Sequence, residues 1–225
     1  FLAGAMTLSL AACGGSASSS AAASSEAASS GAASSEAASS TEEPITLRIA
    51  YMPNYGSLWS LTTAMNKGYF DEAGITVELT EFQDGPSIIA AMESGSIDMG
   101  YIGQGAHKLC IQGNAKIFAL SHVSNGDAVI GGPEVKTLED LKGKKVGYSS
   151  GTSSEDILKN ALEKAGLTMN DITAVDMDAS NIVTAMLSGG VDACATWSPN
   201  SLKILEEGKD LTKLCDNTTF SDKTV

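Results

Sequence analysis

From Ile45 onward the chain alternates short apolar runs with stretches whose apolar residues recur three or four positions apart. The first run, ITLRIAYM, is rich in β-branched residues and predicts a strand over 45–52. In SLWSLTTAMNKG, Leu58, Leu61 and Met65 share a helical face and Gly68 marks the stop. ITVELTEF predicts a second strand, GPSIIAAMESG a short helix and IDMGYIG a third strand. The rhythm then returns. KKVGYSS predicts a strand, and SEDILKNALEKAG a helix with Ile157, Leu158, Ala161, Leu162 and Ala165 on one face and Gly166 as its C-cap. ITAVDM, SNIVTAMLSG and VDACATW complete a second copy of the pattern.

The two copies agree in residues as well as in rhythm. Ala91-Met92-Glu93-Ser94-Gly95-Ser96-Ile97-Asp98 aligns with Ala185-Met186-Leu187-Ser188-Gly189-Gly190-Val191-Asp192, an offset of 185 − 91 = 94. The same offset pairs Asp84 with Asp178 and Ile88 with Ile182. The expectation is an α/β fold of two similar lobes, residues 44–124 and 125–225, each a mostly parallel sheet covered by helices. The crossover is expected in HVSNGDAVIGG, residues 122–132, which is rich in glycine and small polar residues. Ligands of such sheets sit outside the carboxyl ends of the strands, so two facing lobes enclose a cleft that a hinge can close.

The start of the chain reads differently. FLAGAMTLSLAAC is apolar, small-residue-rich and too short to span a bilayer. It resembles the end of a bacterial lipoprotein signal, with Leu10-Ala11-Ala12-Cys13 as the lipobox. That resemblance implies a signal remnant over 1–12, lipid on Cys13, and anchoring to the outer face of the bacterial cytoplasmic membrane. Residues 13–43 are almost entirely Ser and Ala after the first few, a composition suited to a disordered tether. Both ends look cut, the second inside a continuing domain.

Net charge narrows the partners. At −13 the chain lacks the basic face that nucleic acid or an anionic membrane surface requires, so membrane contact is expected through the lipid alone. Arg48 is the one arginine, so bidentate recognition of an oxyanion has to come from backbone N–H groups and hydroxyls. Cys110, Cys194 and Cys215 have no C-x-x-C spacing, and His107 and His122 no metal spacing, so neither a metal nor a cofactor is expected. Cys194 and Cys215 could pair in an exported protein, although buried small hydrophobes are the favoured reading.

Two chemistries compete at VGYSSGTSSEDI. Gly147-Tyr148-Ser149-Ser150-Gly151 matches the G-x-S-x-G elbow of a serine hydrolase. An elbow, however, starts its helix directly after the serine, whereas Thr152-x-x-Glu155 is a capping box that starts it after Thr152. Both histidines also precede Ser149, the reverse of the order a hydrolase triad takes. A binding loop is therefore favoured over an enzyme.

The segments LRIAYMPNYGSLW, KGYFDEAGITVELTEFQDGPSIIAAMESGSIDMGYIG, LKGKKVGYSSGTSSEDILKNALEKAGL and DASNIVTAMLSGGVDACATWSP resemble bacterial solute-binding lipoproteins of ABC importers. The resemblance is to the type 2 periplasmic binding protein fold, in the family that binds nitrate, sulfonates, taurine and pyrimidine precursors of thiamine. It implies a monomer that takes a small-molecule solute in its cleft and hands it to an ABC permease in the membrane. A sensing receptor lobe is the other non-enzymatic reading. Residues at the strand ends become the candidate ligand contacts: Asn54, Tyr55, Gly56, Ser57 and Trp59; Asp84 and Gly85; Gln104; Ser150, Gly151, Thr152 and Ser153; Asp178 and Asn181; and Trp197. Asp84 and Asp178 are equally readable as N-caps, and Trp59 and Trp197 as core aromatics. Scarce arginine beside Asp84, Asp178 and Glu155 sits awkwardly with a simple inorganic anion such as nitrate; a zwitterion such as taurine, an organosulfonate, or a neutral or cationic pyrimidine fits at least as well.

Overall fold

The computed structural model describes residues 45–220, so the readings of the signal, Cys13 and the Ser/Ala tether lie outside the described residues. By their contacts the described residues form one compact unit.

Two parallel-rich sheets are built from the two copies. In the first, β1 (Ile45–Tyr51) lies between β2 (Ile75–Glu81) and β3 (Met99–Gly100), all parallel. In the second, β5 (Lys145–Tyr148) lies between β6 (Thr173–Asp176) and β7 (Ala193–Thr196), again parallel. The orders β2-β1-β3 and β6-β5-β7 are the same. The second sheet continues through β4 (Ala128–Gly131) to β8 (Thr212–Asp216), with β4 antiparallel to both β7 and β8.

The helices repeat as well. α1 (Tyr55–Asn66) follows β1 as α5 (Ser153–Lys164) follows β5, and α3 (Gly85–Glu93) corresponds to α6 (Ala179–Leu187) at the offset of 94. Between α1 and β2 a single turn, α2 (Tyr69–Glu72), is inserted, and α4 (His107–Ile111) and α7 (Asn200–Glu207) follow the third strand of each sheet. Helices cover both faces of the second sheet, so β7 is buried along its whole length. Ile157, Leu158, Ala161 and Leu162 of α5 pack on Val129, Val146 and Ala195 on one side. On the other, Ile182, Val183 and Met186 of α6 and Ile204 of α7 meet Ala128, Ile130 and Cys194. The first sheet has a smaller core of Ala50, Met52, Ile88 and Ile97, and its edge strand β2 is largely exposed.

The most repeated residues turn out to hold the sheets together. Gly95 and Gly189 follow α3 and α6 with φ of 74° and 72°, a left-handed step that glycine makes without strain. Three residues later Asp98 and Asp192 each clamp the middle strand. Arg48 N donates to Asp98 Oδ2 at 2.9 Å, and Lys145 N to Asp192 Oδ2 at 2.8 Å. In return Asp98 N donates to Arg48 O and Asp192 N to Lys145 O. In the first copy Arg48 adds its guanidinium to Asp98, whose carboxyl is lowered to about 2, chiefly by that bond.

Two expectations need correction. The strand expected over 97–103 shrinks to Met99–Gly100, and a 3₁₀ segment, Gln104–Ala106, follows shortly after it. The crossover expected over 122–132 contains the buried strand β4, whose short AVIG run is masked by flanking glycines. Cys194 and Cys215, by contrast, are buried free thiols on β7 and β8, as the favoured reading has it, and β4 lies between those strands.

Candidate functional site

The helix-starting turns at the carboxyl ends of the strands are built alike in both copies. Asn54 caps α1, its Oδ1 accepting from Ser57 N at 2.9 Å, and Ser57 Oγ accepts from Met52 N at 3.0 Å. Thr152 caps α5, its Oγ1 accepting from Ser154 N at 3.2 Å, and Ser154 Oγ accepts from Ser149 N at 3.0 Å. In each case a buried serine in the first helical turn ties the end of the preceding strand to its helix, satisfying N–H groups that would otherwise be orphaned. α5 thus starts after Thr152, as the capping pattern predicts, although Glu155 reaches one residue further back than in a standard box: Gly151 N donates to its Oε2 at 2.6 Å.

Asn54, Tyr55 and Trp59 come together in an open groove of about 500 Å³. Pro53, Leu58, Thr62 and Thr63 continue its wall along α1, and Pro199, from the turn after β7, closes it from the second sheet. Tyr55 is 83% and Trp59 43% exposed, so neither is a core residue. The hydroxyls of Thr62 and Thr63 donate to Leu58 O at 2.8 Å and Trp59 O at 2.6 Å, which satisfies them within the helix. Trp197 is half-buried at the end of β7, and its carbonyl accepts from Ser201 N.

A second meeting point joins Gly85, Gln104, Gly151, Thr152 and Ser153. Gly85 is buried against Ala106, and Gly151, at φ 73°, faces Pro86. Thr152 is buried, its hydroxyl donating to Ser149 O at 2.7 Å. The amides expected to be open here have partners: Ser150 N donates to Asp176 Oδ1 at 2.8 Å and Gly151 N to Glu155. Burial pushes the Glu155 carboxyl up, but Lys159, the Gly151 N–H and Lys108 outweigh it and hold the group below its ordinary value.

The remaining candidates stand apart. Gly56 packs under His122, whose ring stacks on Tyr101 with centroids 5.8 Å apart. Asp84 caps α3 by accepting from Ser87 N at 2.7 Å. Asp178 occupies the equivalent position on α6 without a side-chain cap bond, and both it and Asn181 are exposed.

Sequence reasoning missed Asp127, at the foot of β4. Its buried carboxylate accepts from Ser153 Oγ at 2.7 Å and Asn217 Nδ2 at 2.9 Å, and its own N–H donates to Asn217 Oδ1. Burial pushes this carboxyl up; the two donors oppose that, and the charge of Asp156 adds to it. Gln104, Asp156 and Asn160 complete a small polar niche around it. The only available signal was an aspartate placed directly before an apolar run.

Paired sheets of one strand order, with helix starts gathered at their carboxyl ends, define the type 2 periplasmic binding protein fold. The alkanesulfonate-binding protein SsuA from Xanthomonas axonopodis pv. citri, solved bound to MOPS, superposes with a TM-score of 0.63 at 26% identity, over 78% of this chain and 62% of that one. The chain belongs to the family described as NMT1/THI5 like, which it matches over residues 58–216. It is 37% identical over 181 residues to a putative binding protein of Brucella abortus, covering 80% of this chain and 57% of that protein. It is 30% identical over 193 residues to a putative aliphatic sulfonates-binding protein of Escherichia coli K12, covering 75% of this chain and 56% of that one. The chain thus spans somewhat more than half the length of these curated relatives.

Proposed function

We propose that the chain is the solute-capturing part of an extracytoplasmic binding protein serving an ABC importer, with a sulfonate- or taurine-like organic molecule as its solute. The observation that carries this reading is the groove walled by Tyr55 and Trp59 and completed by Pro199. Its volume and its few polar groups among aromatic and apolar walls suit a small organic molecule. The relatives' names supply the head group: one is described as binding aliphatic sulfonates, and SsuA as binding alkanesulfonates.

In this reading residues 44–124 and 125–225 act as two lobes. Solute enters between them, and contacts made only when the lobes meet favour closure. The closed form docks on a membrane permease, while the lipid on Cys13 and the Ser/Ala tether keep the protein, as a monomer, at the outer face of the membrane. An inorganic anion such as nitrate fits poorly at the start of α5, where it would have to displace Asp176 and Glu155 from the Ser150 and Gly151 amides. Asn54 supplies a polar contact in the groove, Trp197 stands two residues before Pro199 at the end of β7, and Gln104, Ser150, Thr152 and Ser153 border the second meeting point.

Isothermal titration of alkanesulfonates and taurine into the protein tests this reading. Saturable binding that Trp59→Ala weakens supports it; no heat with any sulfonate removes the proposed ligand class.

A further inference from the structure

We propose that Gly105 is the contact on which the two halves close, and that its lack of a side chain sets how near they come. This rests on the reading above in which the halves move as lobes. Gly105 is buried in the short turn after β3, facing the start of α5. A Cβ placed there would lie 2.2 Å from the carbonyl carbon of Thr152, 2.4 Å from its Cα and 2.6 Å from its oxygen.

These are backbone atoms, and they are firmly held. Thr152 O accepts from Glu155 N and Asp156 N, and Thr152 Oγ1 donates to Ser149 O. No side-chain rotation relieves such an overlap, so the turn after β3 and the start of α5 have to separate. The backbone at Gly105 is not in the left-handed region where an L residue is strained. The three atoms nearest to a Cβ at Gly105 thus all belong to the opposing half.

Two neighbouring pairs cross the same seam. Pro86 Cγ lies 3.1 Å from the position a Cβ on Gly151 would take, and Lys108 Nζ stands 3.8 Å from Glu155 Oε2. Gly103, two residues before Gly105, has nothing within 4 Å of a built Cβ, which makes it a matched control.

The test measures the distance between spin labels on Lys67→Cys and Lys203→Cys, both exposed positions, with Cys13 and Cys110 replaced by serine. Gly105→Ala is expected to lengthen the distance in the unliganded protein, while Gly103→Ala leaves it unchanged. Lys108→Glu, a surface change that sets like charges against each other across the seam, lengthens it in the same direction. Where a sulfonate binds, Gly105→Ala weakens it by about tenfold or more, because the closed form becomes scarce. Unchanged distances in both Gly105→Ala and Lys108→Glu overturn the proposal. Lengthened distances in a protein that binds no sulfonate uphold the contact and remove the proposed ligand instead.

Discussion

Ser154→Ala tests the physical logic of the helix-starting turns. Ser154 is fully buried, and its hydroxyl accepts from Ser149 N at 3.0 Å and donates to Ala195 O at 2.8 Å. One oxygen thereby joins α5 to two neighbouring strands, β5 and β7. Alanine keeps the volume but breaks both bonds. Each is worth about 1 kcal/mol net, and leaving the Ser149 N–H unpaired in the interior adds about 1–3 kcal/mol. The expected loss is about 3–5 kcal/mol, or about 6–20 °C in Tm for a folded region of this size. Ser57→Ala in the first copy breaks one such bond, from Met52 N, and by the same reckoning is expected to cost about 2–4 kcal/mol. Urea unfolding followed by circular dichroism measures both, with the slope unchanged if only the native state is affected. A loss below about 0.5 kcal/mol for Ser154→Ala refutes the reasoning, since surface-like changes fall in that range.

Three further outcomes follow from the same geometry. Ser149→Ala leaves solute affinity unchanged, measured by calorimetry, because the main-chain N–H of Ser149 rather than its hydroxyl makes the structural bond; abolished binding contradicts this. The Asp98 carboxyl titrates near pH 2 by NMR, and Arg48→Gln moves its midpoint up towards the ordinary 3.8. Because the folded value is depressed, the stabilisation by this pair is present above about pH 4 and is lost as pH falls towards 2; an unmoved midpoint refutes the pairing. Burial pushes the Cys194 thiol up to about 12 and that of Cys215 up to about 11, so neither alkylates in the native protein at pH 8. Mass spectrometry after iodoacetamide treatment checks this, and rapid labelling of either residue contradicts the burial.

The order of elements was legible because apolar periodicity records which face each segment buries. The offset of 94 was legible too, and it led directly to α3 and α6. What the repeat does was not legible. Asp98 and Asp192 look like surface charges in a linear reading, and only the fold brings them to strand residues 50 and 47 positions away. β4 escaped because three apolar residues running into a pair of glycines carry no period, and it is the antiparallel ladder with β7 and β8 that makes them a strand.

At the candidate site, side chains beside strand ends were easier to find than backbone contacts. Tyr55 and Trp59 follow the first strand and do line the groove with Pro199. The N–H groups of Ser150 and Gly151 read as free in sequence, but folding brings Asp176 and Glu155 to them. Asp127 depends on Ser153 and Asn217, 26 and 90 residues away, and Gly105 on a backbone 47 residues distant (152 − 105 = 47). Spacing along a chain carries no record of such pairs.

The most direct measurement of the central claim is a thermal-shift screen of the protein against alkanesulfonates, taurine, amino-pyrimidines and nitrate, repeated with Trp59→Ala and Tyr55→Ala. Specific capture in the groove predicts a Tm that rises with the concentration of a sulfonate or taurine-like solute, and a rise that shrinks in both variants. No rise with any of the four classes, or a rise that both variants leave intact, contradicts capture at the groove between α1 and Pro199.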